Sequence, residues 1–306
     1  MRYSKLLLSA AISFASVCLG VQQADAGTLS SSGWDYTFGN PSNASGGSDY
    51  SIDAIAMKDT GSQILIALNG GMPLSGVSDD NYWTNNSPIN IGYGDLFFNF
   101  TGQSFQTASQ DNELYAVRFA TDAANPLPVG VYSGVSAKTD TLSHDGYSSL
   151  KWYFQEGFGT NGDFTSEQNE YSYLYGQSVA ANPTGVAWSS DTSSAATNTP
   201  ILNTISSGTY VGGITALTTS DLISDGLDFT NWNNNATGSN TIAFAIDKSS
   251  LGVGNYMANI FMQCGNDGIG LQGNVQAVPE PNTVAGIVVG ALLMGTLGLK
   301  RRRTVA

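Results

Sequence analysis

Histidine is almost absent from this chain: His144 is the only one. Any Ser-His-Asp or Cys-His nucleophile system would have to pass through it, and Ser143-His144-Asp145-Gly146 lacks the form of a nucleophile elbow. Zinc sites draw mainly on His and Cys, so the scarcity of both argues against an ordinary zinc centre. Cysteine is nearly as rare, with Cys18 near the start and Cys264 near the end. Once the first 26 residues are set aside as a leader, Cys264 stands alone, and no disulfide within the molecule can staple the fold. Basic side chains are also few. Residues 27–278 hold 22 acidic against 5 basic side chains, a net charge of −17. Such a surface repels nucleic acid and other polyanions, but places no penalty on a neutral glycan. That interval has no long uncharged apolar stretch either; both such runs lie at the ends of the chain.

The first run follows Arg2 and Lys5, extends from Leu6 to about Val21, and closes on Ala24-Asp25-Ala26. Basic start, short apolar middle and small residues one and three before a cut describe a secretory signal peptide over 1–26. Ala24 and Ala26 form the signal peptidase site, and the mature chain is expected to begin at Gly27. The second run, Thr283–Leu299, is 17 residues without a charge, followed at once by Lys300, Arg301, Arg302 and Arg303. A helix of that length reaches about 26 Å, enough to cross a bilayer core with snorkelling basic residues. The four cations act as a stop-transfer tail that stays cytoplasmic, leaving the body on the far side of the membrane. Ahead of this span sits Pro279-Glu280-Pro281, where two prolines forbid helix and hold the segment extended, as a protease cleft requires.

A Pro-Glu-Pro, an apolar span and a basic tail, in that order at the C-terminus, resemble the ending of PEP-CTERM proteins. The resemblance covers 279–306 and implies recognition by the membrane peptidase exosortase, with Pro279, Glu280 and Pro281 as the sorting motif. It further implies a transient stay in the inner membrane of a Gram-negative bacterium, then delivery to the cell surface or the extracellular polysaccharide matrix of a biofilm. It implies nothing about the fold upstream. Cys264-Gly265-Asn266-Asp267 carries a second, narrower resemblance, because some exosortase-dependent proteins bear this tetrapeptide ahead of the sorting signal, in a role the sequence does not reveal.

Between the signals, short apolar or alternating runs recur between clusters of Gly, Asn, Asp and Ser. Strands are expected at 51–57, 63–68, 95–100, 113–120, 129–135, 150–154, 171–175, 209–217, 241–246 and 255–264, the last two paired as a closing hairpin. The expected fold of 27–278 is an all-β body, a β-sandwich or jelly roll, with 182–208 as a long surface loop or an interdomain linker. On a strand, Tyr171, Tyr173 and Tyr175 would share one face, a stripe that either packs into a core or stacks on sugar rings. Trp232, within Asn231–Asn235, reads as turn material with a glycan-compatible composition.

A glycosidase needs two facing carboxylates, for which Asp145, Glu156, Asp163, Glu167 and Glu170 are candidates. Calcium is the only cofactor with any support, from oxygen-rich turns at Asp79-Asp80-Asn81, Asp225 with Asp228, and Asn266-Asp267-Gly268, none of them an EF-hand loop. The expectation is a noncatalytic structural or adhesive protein of the surface or matrix. A glycan-binding module and an extracellular glycoside hydrolase are the alternatives.

Overall fold

Strands covered on one face alternate apolar and polar residues, whereas Gln63–Gly70 and Leu96–Asn99 bury nearly every side chain. Both faces of the sheets they belong to are therefore covered. The computed structural model describes residues 29–39, 48–79, 89–121, 126–139, 150, 163–164, 167–176, 200–230 and 236–277. Its strands are β1 (Leu29–Ser31), β2 (Trp34–Phe38), β3 (Ile52–Asp59), β4 (Gln63–Gly70), β5 (Val77–Asp79), β6 (Ile89–Ile91) and β7 (Leu96–Asn99). After helix α1 (Phe105–Gln110) come β8 (Leu114–Arg118), β9 (Gly130–Lys138), helix α2 (Glu167–Tyr175), β10 (Thr204–Gly212) and β11 (Ile214–Ala216). Helix α3 (Thr219–Ser224), β12 (Asn240–Asp247), β13 (Gly254–Phe261) and β14 (Gly268–Val275) complete the series.

The described residues are all-β in character. One six-stranded sheet runs β1-β2-β3-β4-β12-β11, a second runs β10-β9-β8-β7-β13-β14, and β5 pairs with β6 as a small separate ribbon. A shared core lies between the large sheets, where Ile55, Ile66 and Phe244 of the first join Phe98, Ile260 and Leu271 of the second. The alternate residues form two outer layers. Phe97, Leu114 and Tyr132 pack under α1 and Leu174 of α2, while Trp34, Tyr36 and Ala56 pack under Leu222 of α3 and Phe229. Three buried layers explain why the central strands read as continuous apolar runs.

Two ion pairs, one deeply buried and one partly buried, fix the connections. Arg118 at the end of β8 meets Asp95, whose Oδ2 also accepts the Ile205 N–H at 2.7 Å and the Thr204 hydroxyl at 3.0 Å. This carboxylate ties the start of β10 to the start of β7. Lys248 Nζ lies 2.6 Å from Asp59 Oδ2, and its backbone N–H donates to the Ser62 carbonyl, which anchors the crossover after β12 to the β3–β4 turn.

That crossover corrects the expected closing hairpin: β12 pairs with β4 and β11, whereas β13 lies in the other sheet between β7 and β14. The true partner of β13 in a hairpin is β14. The expected strand over 209–217 is two strands, one in each sheet, because the chain bends at Gly212–Gly213 as it passes between them. Residues 204–208 of the expected loop belong to β10. Residues 171–175 are helical, so Tyr171, Tyr173 and Tyr175 form no strand stripe; helical positions two apart diverge by about 200°. Tyr175 is buried and Tyr173 half-buried. Leu150 is helical, and the rest of the expected strand at 150–154 lies outside the described residues. No described helix is long and apolar enough to cross a membrane. The span at 283–299, the signal peptide and the sorting motif also lie outside the described residues.

Candidate functional site

Two places concentrate polar side chains. The first is the Cys264-Gly265-Asn266-Asp267 turn, which joins β13 to β14. Gly265 takes a left-handed conformation at φ 67°, and Met262 N–H closes the turn on the Asp267 carbonyl at 3.0 Å. Every residue from 262 to 271 is buried. The Asp267 carboxylate accepts the Ile52 N–H at 2.7 Å and the Gly268 N–H at 2.8 Å. Burial nevertheless pushes this carboxyl up to about 8, with the two N–H groups acting against it and neighbouring Asp53 adding to it.

Flanking residues lock the turn into the fold. Asn203 Nδ2 donates to the carbonyls of Met262 and Gln263, both at 3.0 Å, and Gln263 Oε1 accepts the Gly92 N–H at 2.7 Å. Asn266 Oδ1 is buried and has no hydrogen-bond partner among the described residues, and Cys264 is buried outside any disulfide. The tetrapeptide thus sits inside the molecule, stitching the β13–β14 hairpin to the start of β3.

The second place is an open cleft of about 550 Å³ at the β14 side of the second sheet. Strand register builds its floor. Met257 faces Asn99 of β7 on one side and Gln272 of β14 on the other, so these three side chains form a row across three strands. One step along, Asn255 opposes Asn274, and Asn274 Nδ2 donates to Asn255 Oδ1 at 2.6 Å. Gln103 and Tyr173 rise from the segments over this face. Tyr173 is held by donating to Asn259 Oδ1 at 3.0 Å, and burial pushes its hydroxyl well above the ordinary tyrosine range. At Gly273 the floor has no side chain, and the ring of Tyr256 fills the space beneath. Among the described residues Asp35 is the one charged member of the lining.

β14 is an edge strand, yet its outer side is not bare. Asp163 N–H donates to the Gly270 carbonyl at 3.0 Å, and Asp163 Oδ2 accepts the Gln272 N–H at 3.0 Å. The ring of Phe164 then lies over Gly270. Asp163, a candidate glycosidase carboxylate, is therefore a buried cap on a strand edge. Glu170 is fully buried in α2. The side chains of Asp145, Glu156 and Glu167, like those of His144, Tyr171 and Trp232, lie outside what is described.

Of the oxygen-rich turns, Asp228 Oδ1 accepts from Thr230 N–H and its hydroxyl, both at 2.8 Å, and the Asp225 carbonyl accepts from Trp34 Nε1 and Lys58 Nζ. Among the described residues no three Asp, Glu, His or Cys side chains gather in a metal-binding group. Sequence reasoning missed the cleft, because Asn99 and Gln272 are distant in the chain and only strand pairing brings them together. Comparison with family models, curated proteins and solved structures finds no match to this chain.

Proposed function

We propose that the chain is an exported protein of the cell surface or extracellular polysaccharide matrix, with a structural or adhesive and noncatalytic body. In this reading signal peptidase cuts after Ala26, and exosortase releases the body from a transient inner-membrane anchor near Pro279-Glu280-Pro281. The observation that carries it is the three-part C-terminus: extended motif, 17 uncharged residues and four consecutive cations. The body is read as a β-sandwich, consistent with two antiparallel sheets around one core.

The position of the last strand supports this reading. β14 ends at Val275, and Gln276 and Ala277 are exposed. Only Gln276, Ala277 and Val278 separate the strand from Pro279, a reach of about 10 Å when extended. The motif therefore follows the folded body at once, with no long spacer between. A noncatalytic body accords with the engagement of Asp163 in a backbone cap.

The test is intact-mass analysis of the protein from envelope and medium fractions of its host, with and without exosortase. A C-terminus near Pro279–Pro281 only when the enzyme is present supports the reading. The full C-terminus retained in the inner membrane of both strains overturns it.

A further inference from the structure

The cleft over β7, β13 and β14 has the size of a small-molecule site but not the composition of an apolar one. Among the described residues, side-chain amides supply most of its polar groups, Tyr173 and Met257 supply apolar surface, and neither lysine nor arginine lines it. Each amide carries two donor hydrogens and a carbonyl oxygen, the combination that pairs with neighbouring hydroxyl groups. Part of that capacity is taken: Asn99 is engaged by Gln103 and Thr101, Gln103 Nε2 donates to Glu113, and Asn274 donates to Asn255 Oδ1 and accepts from Gln276 Nε2. The Gln272 side chain makes no hydrogen bond among the described residues, and the second donor hydrogen of Asn274 and the Asn255 amide group remain for a ligand.

Charge narrows the ligand further. A phosphate, sulfate or uronate would meet the Asp35 carboxylate with no cation among the described lining residues, on a body of net charge −17. A divalent cation would find a single carboxylate in a space far larger than its coordination shell. An extended peptide adding to the sheet edge needs free backbone groups on β14, and Asp163 already occupies the Gly270 carbonyl and the Gln272 N–H. The site therefore reads its ligand through side chains.

We propose that this cleft binds an uncharged polysaccharide segment, its hydroxyls pairing with Gln272, Asn255 and Asn274 and its apolar ring surface lying against Tyr173. This deepens the matrix reading by naming the attachment chemistry, and rests on it only for the source of the glycan. The test is affinity electrophoresis of the purified full chain in nonionic detergent, in gels containing dextran, laminarin, hydroxyethylcellulose or galactomannan, with polygalacturonate in parallel. At least one neutral polymer retards the protein and polygalacturonate does not. Gln272→Ala and Asn274→Ala each weaken the retardation about tenfold, with melting temperatures unchanged. Retardation by none of the four neutral polymers, retardation of both variants equal to that of the parent, or stronger retardation by polygalacturonate overturns the proposal. The gels read binding independently of processing, so their failure leaves exosortase cleavage standing, and an uncut C-terminus leaves the cleft standing.

Discussion

Replacing Asp95 by asparagine removes the charge from a carboxylate that holds three groups through one oxygen. Asp95 Oδ2 accepts the Ile205 N–H at 2.7 Å and the Thr204 hydroxyl at 3.0 Å, and stands 3.4 Å from Arg118 Nη1. The two shorter bonds survive in Asp95→Asn, because the amide oxygen still accepts. What changes is that a guanidinium, 2% exposed, loses the adjacent negative charge. Removing one member of a buried pair costs about 3–5 kcal/mol, most of it from the charge left behind and not from a contact as long as this one.

Arg118→Met leaves the carboxylate still accepting from the Ile205 N–H and the Thr204 hydroxyl but without the guanidinium, and about 2–4 kcal/mol is expected. In the double variant neither charge remains, so its cost is about 0–2 kcal/mol and the sum of the singles overshoots it by at least about 3 kcal/mol. Urea unfolding followed by tryptophan fluorescence gives all four corners; each single change moves the midpoint down by about 1–2 M. Single effects that add to the double within about 0.5 kcal/mol would refute the argument that buried charge, not contact geometry, sets the cost.

Three further outcomes follow from other places in the fold. A methyl group on Gly270 would lie 2.8 Å from Phe164 Cε2, so Gly270→Ala is expected to cost about 1–3 kcal/mol, and Phe164→Leu in the same chain to recover part of it; simple additivity in a thermal melt would count against the packing argument. Asp267 keeps a proton in the fold up to about pH 8, while the unfolded carboxyl releases it near 3.8. Its contribution to stability is therefore complete below about pH 4, declines by up to about 1.4 kcal/mol per unit as pH rises toward 8, and is flat beyond. Measured against Asp267→Asn, the parent must lose ground between pH 5 and 8, and a constant difference across that range contradicts the assignment. Trp34→Phe leaves a void and removes the indole donor to the Asp225 carbonyl at 3.0 Å, for a loss of about 2 kcal/mol by chemical denaturation, against which an unchanged midpoint would stand.

The strand series was legible where bulky side chains are contiguous. The expected runs at 51–57, 63–68 and 95–100 fall on β3, β4 and β7 nearly residue for residue. β14 was not legible, because Gly268, Gly270 and Gly273 read as turn material, and the rings that cover them come from Phe261, Phe164 and Tyr256 on other segments. Three tyrosines at alternate positions imitated a strand in α2, since a short pattern of period two says nothing about the backbone beneath it. Pairing partners were hidden for a similar reason. β12 and β13 are neighbours in sequence, but the segment between them is pinned at Lys248 to the β3–β4 turn as the chain crosses into the second sheet. Of the two polar places, the Cys-Gly-Asn-Asp turn was visible as a motif but its burial was not. The cleft was invisible, because its row Asn99, Met257 and Gln272 exists only through register.

The exit of the chain from β14 sets how the body responds to force. Val275 pairs with Gly254 at the open end of the β13–β14 hairpin, with the hairpin's turn at the opposite end. A pull through the residues beyond Val275 therefore meets the ladder one rung at a time, as a zipper is opened, and not all rungs together as in sliding. The first rungs, Gly254 to Tyr256 against Val275 to Gly273, yield before load reaches the ring over Gly270 or the Asp163 cap. A body tethered by this end has a lead of a few residues backed by a stiffer clamp, so drag on the molecule first draws Val275 out of the rim of the core and leaves the rest of the core loaded last.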